Sequence, residues 1–253
     1  MKRVFAVAAV LALAGCAPAT PAPTASEDTL SGSITVFAAA SLTDSFEQLK
    51  TEFVTAHPDV TITFNFGGSS ALAEQIVQGA PVDVFAAASP ATMATVVDAS
   101  LAAEPVDFAS NTLELAVPTD NPAGVTALAD LENADLAVAF CAPEVPCGAA
   151  TQTVLDATGL TITPDTYEQD VKAVLTKVEL GEVDAGLVYR TDVLAAGDAV
   201  LGIEFPEATE AVNRYPIATL SESPNAEVAE AFVAWVLSPE GQKLLQTWGF
   251  GAP

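Results

Sequence analysis

Blocks of alternating and of helically spaced apolar residues follow one another along the chain. Residues 34–37 are largely apolar and β-branched, which predicts a strand, and apolar residues recur at helical spacing over residues 46–53, which predicts an amphipathic helix. Three alanines and Ser41 separate the two predicted elements. Ser41 and Asp44 have the spacing of a capping box, so Ser41 is expected at the start of the helix.

The same order of strand, small residues, serine and helix recurs downstream. Residues 60–66 alternate between apolar and polar and predict a strand, two glycines follow it, and Ser69 precedes a helix predicted over residues 71–78. A helix start exposes free backbone N–H groups and the positive end of the helix dipole, and both attract an anion. A single serine at such a place is usually only a helix cap. Its repetition behind small residues favours an anion site formed by Ser41 and Ser69.

The rest of the chain continues to alternate between predicted strands and helices. Strands are predicted at residues 82–87, 112–117, 136–140, 185–189 and 215–220, and helices after Ser89, over residues 149–158, from Asp170, after Pro224 and from Ser238. This alternation predicts an α/β fold with mainly parallel sheets and helices on both faces. Ligands bind such sheets beyond the carboxyl ends of the strands. Four candidate residues are expected at these ends: Ser41, Ser69, Cys147 and Tyr189.

The N-terminus has the pattern of a targeting segment. Two basic residues precede an apolar run over residues 4–13, which is too short to span a bilayer. Residues 13–16 read Leu-Ala-Gly-Cys and resemble a bacterial lipobox, in which the signal is cut before the cysteine and the thiol is lipidated. We therefore expect a signal peptide at residues 1–15 and a lipid anchor on Cys16, outside the cytoplasm. Residues 16–33 are rich in Pro, Thr and Ala and predict a disordered tether.

The charge of the chain narrows the classes of partner. Its 253 residues, enough for one large α/β domain or two smaller ones, include 33 acidic and 8 basic side chains, a net charge of −25. Loss of Lys2 and Arg3 with the signal peptide would take the net charge from −25 to −27. Nucleic acids and anionic membrane surfaces require clusters of Lys and Arg, so both are excluded as partners. The acidic residues are scattered, without the spacing of a calcium loop, and solubility in a salty exterior accounts for them.

Few residues suit catalysis or metal binding. The sole histidine, His57, cannot form a two-histidine zinc site, and no neighbouring residues suggest a Ser-His-Asp arrangement. There is no phosphate-binding loop and no dinucleotide-binding motif. An enzyme that uses paired carboxylates stays open as an alternative. Cys141 and Cys147 remain as a pair outside the cytoplasm, and we expect a disulfide between them.

Six segments in a fixed order resemble the molybdate-binding proteins of bacterial ABC uptake systems. They are AAASL (38–42), GGSSAL (67–72), GAPVDVF (79–85), VPCG (145–148), EQDVKAVL (168–175) and GLVYRTD (186–192). The resemblance implies the type II periplasmic-binding-protein fold, in which two α/β lobes are joined by two crossing strands and close on an oxyanion. We expect the first lobe at residues 34–113 and 218–253 and the second at residues 114–217. The resemblance implies neither an enzyme nor a cofactor.

The resemblance also implies which groups contact molybdate. The matching residues are Ser41, Ser69, Cys147, Val171 and Tyr189. The serines and the tyrosine would give hydroxyl groups, and Cys147 and Val171 would give backbone N–H groups. Molybdenum would be held as molybdate, without direct coordination of the metal. The chain departs from the family's pattern at Gly68, often a serine, at Cys147, where the family has P-A-G, and at Lys172, where the family has arginine.

The residues themselves support an anion site that contains no Lys or Arg. Four helix starts are predicted, at Ser41, Ser69, Cys147 and Asp170, and their dipoles together amount to about +2 charges. A site made only of neutral donors should prefer a fully deprotonated dianion. We expect Asp170 to cap its own helix and to point away from the ligand.

The expected partners follow from the resemblance. The protein should act as a monomer that binds molybdate, with tungstate as a close substitute, and delivers it to the membrane permease of an ABC transporter. The lipid anchor would be its only contact with the membrane. The nearest alternative is the same clamp for sulfate or another small oxyanion. A more distant alternative is an extracytoplasmic enzyme or a cation-binding module that uses acidic clusters.

Overall fold

The computed structural model describes residues 30–253. The predicted signal peptide, the lipid anchor on Cys16 and most of the predicted tether lie outside the described residues. The last part of the tether prediction is wrong, because the first strand already begins at Gly32. Gly32 and Ser33 pair with Val60 and Thr61 in a parallel ladder, which makes them part of the fold.

Strands and helices alternate along the described residues, as the apolar pattern predicts. The strands are β1 (Gly32–Ala39), β2 (Val60–Gly67), β3 (Val84–Ala86), β4 (Val106–Asn111), β5 (Leu113–Pro118), β6 (Val138–Cys141), β7 (Thr166–Glu168), β8 (Ala185–Tyr189), β9 (Val200–Ile203) and β10 (Asn213–Thr219). The α-helices are α1 (Thr43–Ala56), α2 (Ser69–Val77), α3 (Pro90–Asp98), α4 (Pro146–Thr158), α5 (Val171–Glu179), α6 (Arg190–Ala196), α7 (Ala226–Leu237) and α8 (Pro239–Thr247). The apolar pattern of the sequence does not predict β4, β7, β9 or α6.

Two five-stranded sheets organise these elements into two lobes. The first sheet has the order β2-β1-β3-β10-β4 and the second has the order β7-β6-β8-β5-β9. Each sheet contains two parallel and two antiparallel strand pairs, so the sheets are mixed rather than mainly parallel. Every antiparallel pair includes β5 or β10. These are the strands by which the chain enters the second sheet and returns to the first.

The two crossings lie close to the predicted lobe boundaries but do not coincide with them. Leu113 already pairs with Tyr189 in the second sheet, one residue before the predicted boundary. Residues 213–217, predicted for the second lobe, pair with β4 or β3 in the first sheet. Side-chain polarity cannot locate these boundaries, because the chain stays in extended conformation as it passes from one sheet to the other.

Each lobe buries its own apolar core. In the first lobe the predicted apolar face of α1 is buried, and Phe46 packs against Phe64, Phe108 and Phe232. In the second lobe α4 and α5 bury apolar residues against the sheet. Burying a large apolar side chain contributes roughly 1.5–3 kcal/mol, so these cores hold each sheet and its helices together as a support for the loops between them.

No helix within residues 30–253 combines the length and the hydrophobicity that crossing a bilayer demands.

Candidate ligand-binding cleft

A small cavity lies between the two lobes, at the carboxyl ends of β1, β2 and β8 and at the starts of α2, α4 and α5. We call it the cleft. The space between its walls is about 200 Å³ when the part open to solvent is included. Its walls come from residues 39–41, 67–69 and Ala88 of the first lobe and from residues 145–147, 170–171 and Tyr189 of the second. The cleft thus brings together the five residues predicted to contact the ligand: Ser41, Ser69, Cys147, Val171 and Tyr189.

Ser41 does not cap a helix. It lies in a 3₁₀ turn, Ala40–Leu42, and α1 begins only at Thr43, without a side-chain cap. The Oγ atom of Ser41 is buried and lies 3.0 Å from the hydroxyl of Tyr215. The predicted capping box is therefore wrong, because the extra turn places Ser41 before the helix and against β10 instead.

Ser69 is the first residue of α2, which follows the N-cap residue Gly68. Its Oγ atom accepts a hydrogen bond of 3.0 Å from the backbone N–H of Ala88. The hydroxyl hydrogen of Ser69 is thus left for another acceptor. This contact is not helix capping either, because its partner lies on the loop after β3, away from α2.

Two contacts next to Ser69 reach across the cleft. The hydroxyl of Ser70 donates to the backbone carbonyl of Glu144 in the second lobe. Gly68 lies so close to the second lobe that a β-carbon at this position would be 2.2 Å from the carbonyl oxygen of Gln169. The two lobes are therefore in contact beside the cleft, and the structure corresponds to a closed arrangement.

The starts of α4 and α5 supply backbone N–H groups on the second lobe. Cys147 is the second residue of α4, and Val171 is the first residue of α5. N–H groups in the first turn of a helix have no partner within the helix. Asp170 caps α5 as expected, since its Oδ1 atom accepts the N–H of Ala173 at 2.9 Å. Both N–H positions therefore suit contact with an anion.

The predicted disulfide is present beside the cleft. Cys141 at the end of β6 is bonded to Cys147, and their Cα atoms are 5.7 Å apart. The disulfide thus ties the start of α4 to the sheet of the second lobe. The loop is also tight at Gly148, where a β-carbon would lie 2.0 Å from the carbonyl oxygen of Ala142.

Tyr189 ends β8 with its ring almost fully buried, at 1% exposure. Among the described residues its hydroxyl has no hydrogen-bond partner of normal geometry. Burial, and next the neighbouring Tyr215, raise the pKa of Tyr189 well above its usual value, so the hydroxyl stays protonated. A buried hydroxyl without a partner is costly in a folded protein, so its position at the cleft marks a group prepared to bind a ligand.

Lys172 forms a charged contact between the lobes that the residue pattern of the sequence does not predict. Its Nζ atom lies 2.9 Å from Asp44 of the first lobe and 3.6 Å from Asp192 of the second. Asp192 is fully buried and also accepts the backbone N–H of Tyr189. Burial raises the pKa of Asp192 to about 6, although Lys172 opposes this shift. The sequence offered only the Lys-for-Arg difference as a signal, because the two partners are far from Lys172 along the chain.

The chemistry of the cleft suits an anion better than a cation or a reaction. Within residues 30–253 no three His, Cys, Asp or Glu side chains are grouped as a metal site would require. His57 follows α1 and packs against Phe53, away from the cleft. The cleft is lined by three hydroxyl-bearing residues, Ser41, Ser69 and Tyr189, and by helix starts, and such O–H and N–H donors stabilise negative charge without forming covalent bonds. The one charged residue among its described walls is Asp170, whose Oδ1 atom accepts from the N–H of Ala173.

Comparison with known proteins identifies the family. The sequence profile of the bacterial extracellular solute-binding proteins matches residues 34–251. The chain belongs to this family. Relatives of this solute-binding protein are similar to it in sequence over nearly its whole length. It is 42% identical, over 96% of this chain and 94% of the relative, to the molybdate-binding protein ModA of Mycobacterium tuberculosis strain H37Rv. It is 31% identical, over 98% of this chain and 96% of the relative, to the putative ABC transporter substrate-binding lipoprotein YvgL of Bacillus subtilis strain 168.

The fold of this solute-binding protein matches that of solved structures. The Azotobacter vinelandii periplasmic molybdate-binding protein superposes with a TM-score of 0.74 at 20% identity, covering 87% of this chain and 99% of that one. The predicted two-lobed α/β fold is therefore confirmed. The relatives are named as transport binding proteins rather than as enzymes, in agreement with the prediction that the chain is not an enzyme and needs no cofactor.

Proposed function

We propose that this solute-binding protein captures molybdate in the cleft, with tungstate as a close substitute, and delivers it to the permease of an ABC transporter. The observation that carries the proposal is the hydroxyl of Tyr189, which is buried at the cleft and has no hydrogen-bond partner among residues 30–253. The name of the ModA relative, 42% identical to this chain, supports molybdate as the ligand. The same clamp for sulfate is the alternative.

The proposed ligand contacts come from both lobes. Ser41 and Ser69 would donate from the first lobe, and the N–H groups of Cys147 and Val171 and the hydroxyl of Tyr189 from the second. Three α-helices, rather than the four predicted, begin at the cleft, because Ser41 lies in a 3₁₀ turn before α1. Their dipoles amount to about +1.5 charges, which offsets most of the charge of a dianion.

We also propose that the protein acts as a monomer tethered outside the cytoplasmic membrane by a lipid on Cys16. The support is the lipobox pattern at residues 13–16 and the word lipoprotein in the name of the YvgL relative. Replacement of Cys16 by Ser should release the protein from the membrane fraction. A Cys16→Ser protein that stays with the membranes would contradict the anchor.

Calorimetric titration with molybdate, tungstate, sulfate and phosphate tests the proposed function. Ser41→Ala, Ser69→Ala and Tyr189→Phe should each weaken molybdate binding by about 1–3 kcal/mol, because each removes a hydrogen bond to a charged group. Tyr189→Phe should not lower the melting temperature of the ligand-free protein, since the lost hydroxyl has no hydrogen-bond partner in the part of the chain that the structure describes.

Tyr167→Phe is a matched control, because Tyr167 is 58% exposed on β7 and does not line the cleft. It should bind molybdate as tightly as the wild type. A wild-type protein that binds none of the four anions would refute the proposal. A wild type that binds sulfate in preference to molybdate would support the alternative ligand.

A further inference from the structure

We infer that Tyr215 and Asn111 set the direction of the Ser41 hydroxyl, so that Ser41 donates its hydrogen bond to the ligand. Neither residue lines the cleft, and both are buried. They are positioning residues that act through Ser41 and give the site its preference for oxyanions without a proton. The inference rests on the proposed function.

The donor and the acceptor of each hydrogen bond can be assigned by starting from a backbone N–H group, which can only donate. The N–H of Thr112 donates to Oδ1 of Asn111 at 3.0 Å, which identifies the opposite side of this amide as its NH₂ group. The two hydrogens of that group match two acceptors, Thr191 Oγ1 at 2.8 Å and the hydroxyl oxygen of Tyr215 at 3.4 Å. The Tyr215 oxygen is therefore an acceptor towards Asn111.

The single hydrogen of Tyr215 is then directed to Ser41. The two hydroxyl oxygens lie 3.0 Å apart, and either could donate on distance alone. Among the described residues Ser41 Oγ is the acceptor within hydrogen-bond distance of the Tyr215 hydroxyl, and a buried O–H group without an acceptor is costly, so the Tyr215 hydrogen points at Ser41 Oγ. Burial raises the pKa of Tyr215 above its usual value, so this hydrogen stays in place. Ser41 accepts from Tyr215 and keeps its own hydrogen for the cleft.

Ser69 reaches the same state by a different route. Its oxygen accepts from the backbone N–H of Ala88, which cannot reverse direction. Both serines of the first lobe thus present hydrogens to the cleft, while one lone pair of each oxygen already accepts from a donor of the protein. In Ser69 the backbone imposes this direction, whereas in Ser41 it depends on the two side chains Tyr215 and Asn111.

The arrangement separates oxyanions by their protonation. Molybdate, tungstate and sulfate carry no proton at neutral pH, so every ligand oxygen can accept. Hydrogen phosphate carries one proton and needs an acceptor, and a buried O–H group facing another donor is left unpaired. Without the hydrogen bond from Tyr215, the Ser41 hydroxyl could turn and accept the proton of hydrogen phosphate. The site would then discriminate less between unprotonated oxyanions and hydrogen phosphate.

Calorimetry on Tyr215→Phe tests the inference with molybdate and hydrogen phosphate as probes. The variant keeps the ring that packs edge-on against Phe108 and Phe250 and removes only the hydroxyl. We expect molybdate affinity to fall about tenfold, as for the loss of one hydrogen bond of about 1.4 kcal/mol. The ratio of molybdate to phosphate affinity should narrow by at least tenfold, because Ser41 can now accept.

A double-mutant cycle with Ser41→Ala separates positioning from packing. In the Ser41→Ala background, Tyr215→Phe should change molybdate affinity by less than twofold. If Tyr215→Phe lowered the affinities for molybdate and for hydrogen phosphate equally, both in the wild type and in Ser41→Ala, the inference would be overturned. Tyr215 would then be a packing residue only. Wild-type protein that binds no oxyanion would instead overturn the proposed function.

Asn111→Asp provides a second test if Tyr215→Phe folds poorly. A carboxylate in place of the NH₂ group would attract the Tyr215 hydrogen and reverse the order of the bonds. Ser41 would then donate to Tyr215 and lose its free hydrogen, so molybdate affinity should fall at least as far as in Ser41→Ala. Molybdate affinity that stays within twofold of the wild type in a folded Asn111→Asp protein would contradict the inference.

Discussion

Gly68 provides the sharpest test of how the lobes close. Its backbone has φ −60° and ψ 124°, a conformation that any residue adopts, so the fold of the first lobe does not require glycine here. The requirement comes from the other lobe. A β-carbon at position 68 would lie 2.2 Å from the carbonyl oxygen of Gln169, which is 0.8 Å inside the 3.0 Å limit of real contacts. We therefore predict that Gly68→Ala impairs closure while the open protein folds normally.

The size of the effect follows from the displacement. Gln169 is two residues before Val171, so a lobe held back by 0.8 Å at Gln169 is held back by a similar distance at the ligand. A hydrogen bond of about 2.9 Å would lengthen to about 3.7 Å, beyond the range in which it is effective. Each such bond to a charged group is worth about 1.5–3 kcal/mol. Losing one lowers affinity about tenfold to a hundredfold.

Calorimetry with molybdate measures this loss, and melting of the ligand-free protein shows whether the fold is intact. The melting temperature should change little, because alanine lowers the entropy of the unfolded chain but is a poorer N-cap than glycine. Gly67→Ala is the matched control. Gly67 also lines the cleft, but a β-carbon there would lie 3.7 Å from Leu72, an ordinary contact, so this variant should lose less molybdate affinity than Gly68→Ala.

Two results would refute the reasoning about Gly68. Molybdate affinity that is unchanged in Gly68→Ala would mean that closure around the ligand does not bring Gly68 against Gln169. An equal loss in Gly67→Ala and Gly68→Ala would mean that the effect comes from β2 and the start of α2, not from the contact between lobes.

Three further predictions concern the charged contact and the disulfide. Asp44→Asn should weaken molybdate binding by about 0.2–1 kcal/mol at low salt, because it removes a partly exposed ion pair with Lys172 between the lobes. In 1 M salt this pair is screened, so calorimetry should show equal molybdate affinities for the variant and the wild type. Asp192 has a folded-state pKa raised to about 6 from its usual 3.8, so its protonated form stabilises the fold below pH 4 and this stabilisation is lost as the pH rises to 6. Asp192→Asn should therefore gain melting temperature relative to the wild type between pH 4 and pH 7, and a constant difference would contradict the shift. Replacing Cys141 and Cys147 together by Ala should lower the free energy of unfolding, measured in urea, by roughly 2–3 kcal/mol at most. Molybdate affinity should fall little, because the N–H of residue 147 remains. A large loss of affinity without a loss of stability would contradict this prediction.

Several features of the cleft could be predicted from the sequence because they depend on neighbours along the chain. The apolar spacing in α1 predicts which face is buried, and Asp170 is a recognisable cap for α5. Strands that end in small residues and a serine predict where a ligand can approach the backbone. The disulfide between Cys141 and Cys147 spans only six positions and was expected from the compartment.

The tertiary structure alone decided which polar groups face each other. Ser41 resembles a helix cap in sequence, yet its partner Tyr215 is 174 positions away and meets it only because β10 returns to the first sheet. Lys172 meets Asp44 across 128 positions because the lobes are closed. The close approach of Gly68 to Gln169 has the same origin. Local residue patterns determine helices, strands and caps, whereas the direction of a hydroxyl and the fit between two lobes depend on side chains that only the folded chain brings within hydrogen-bond distance.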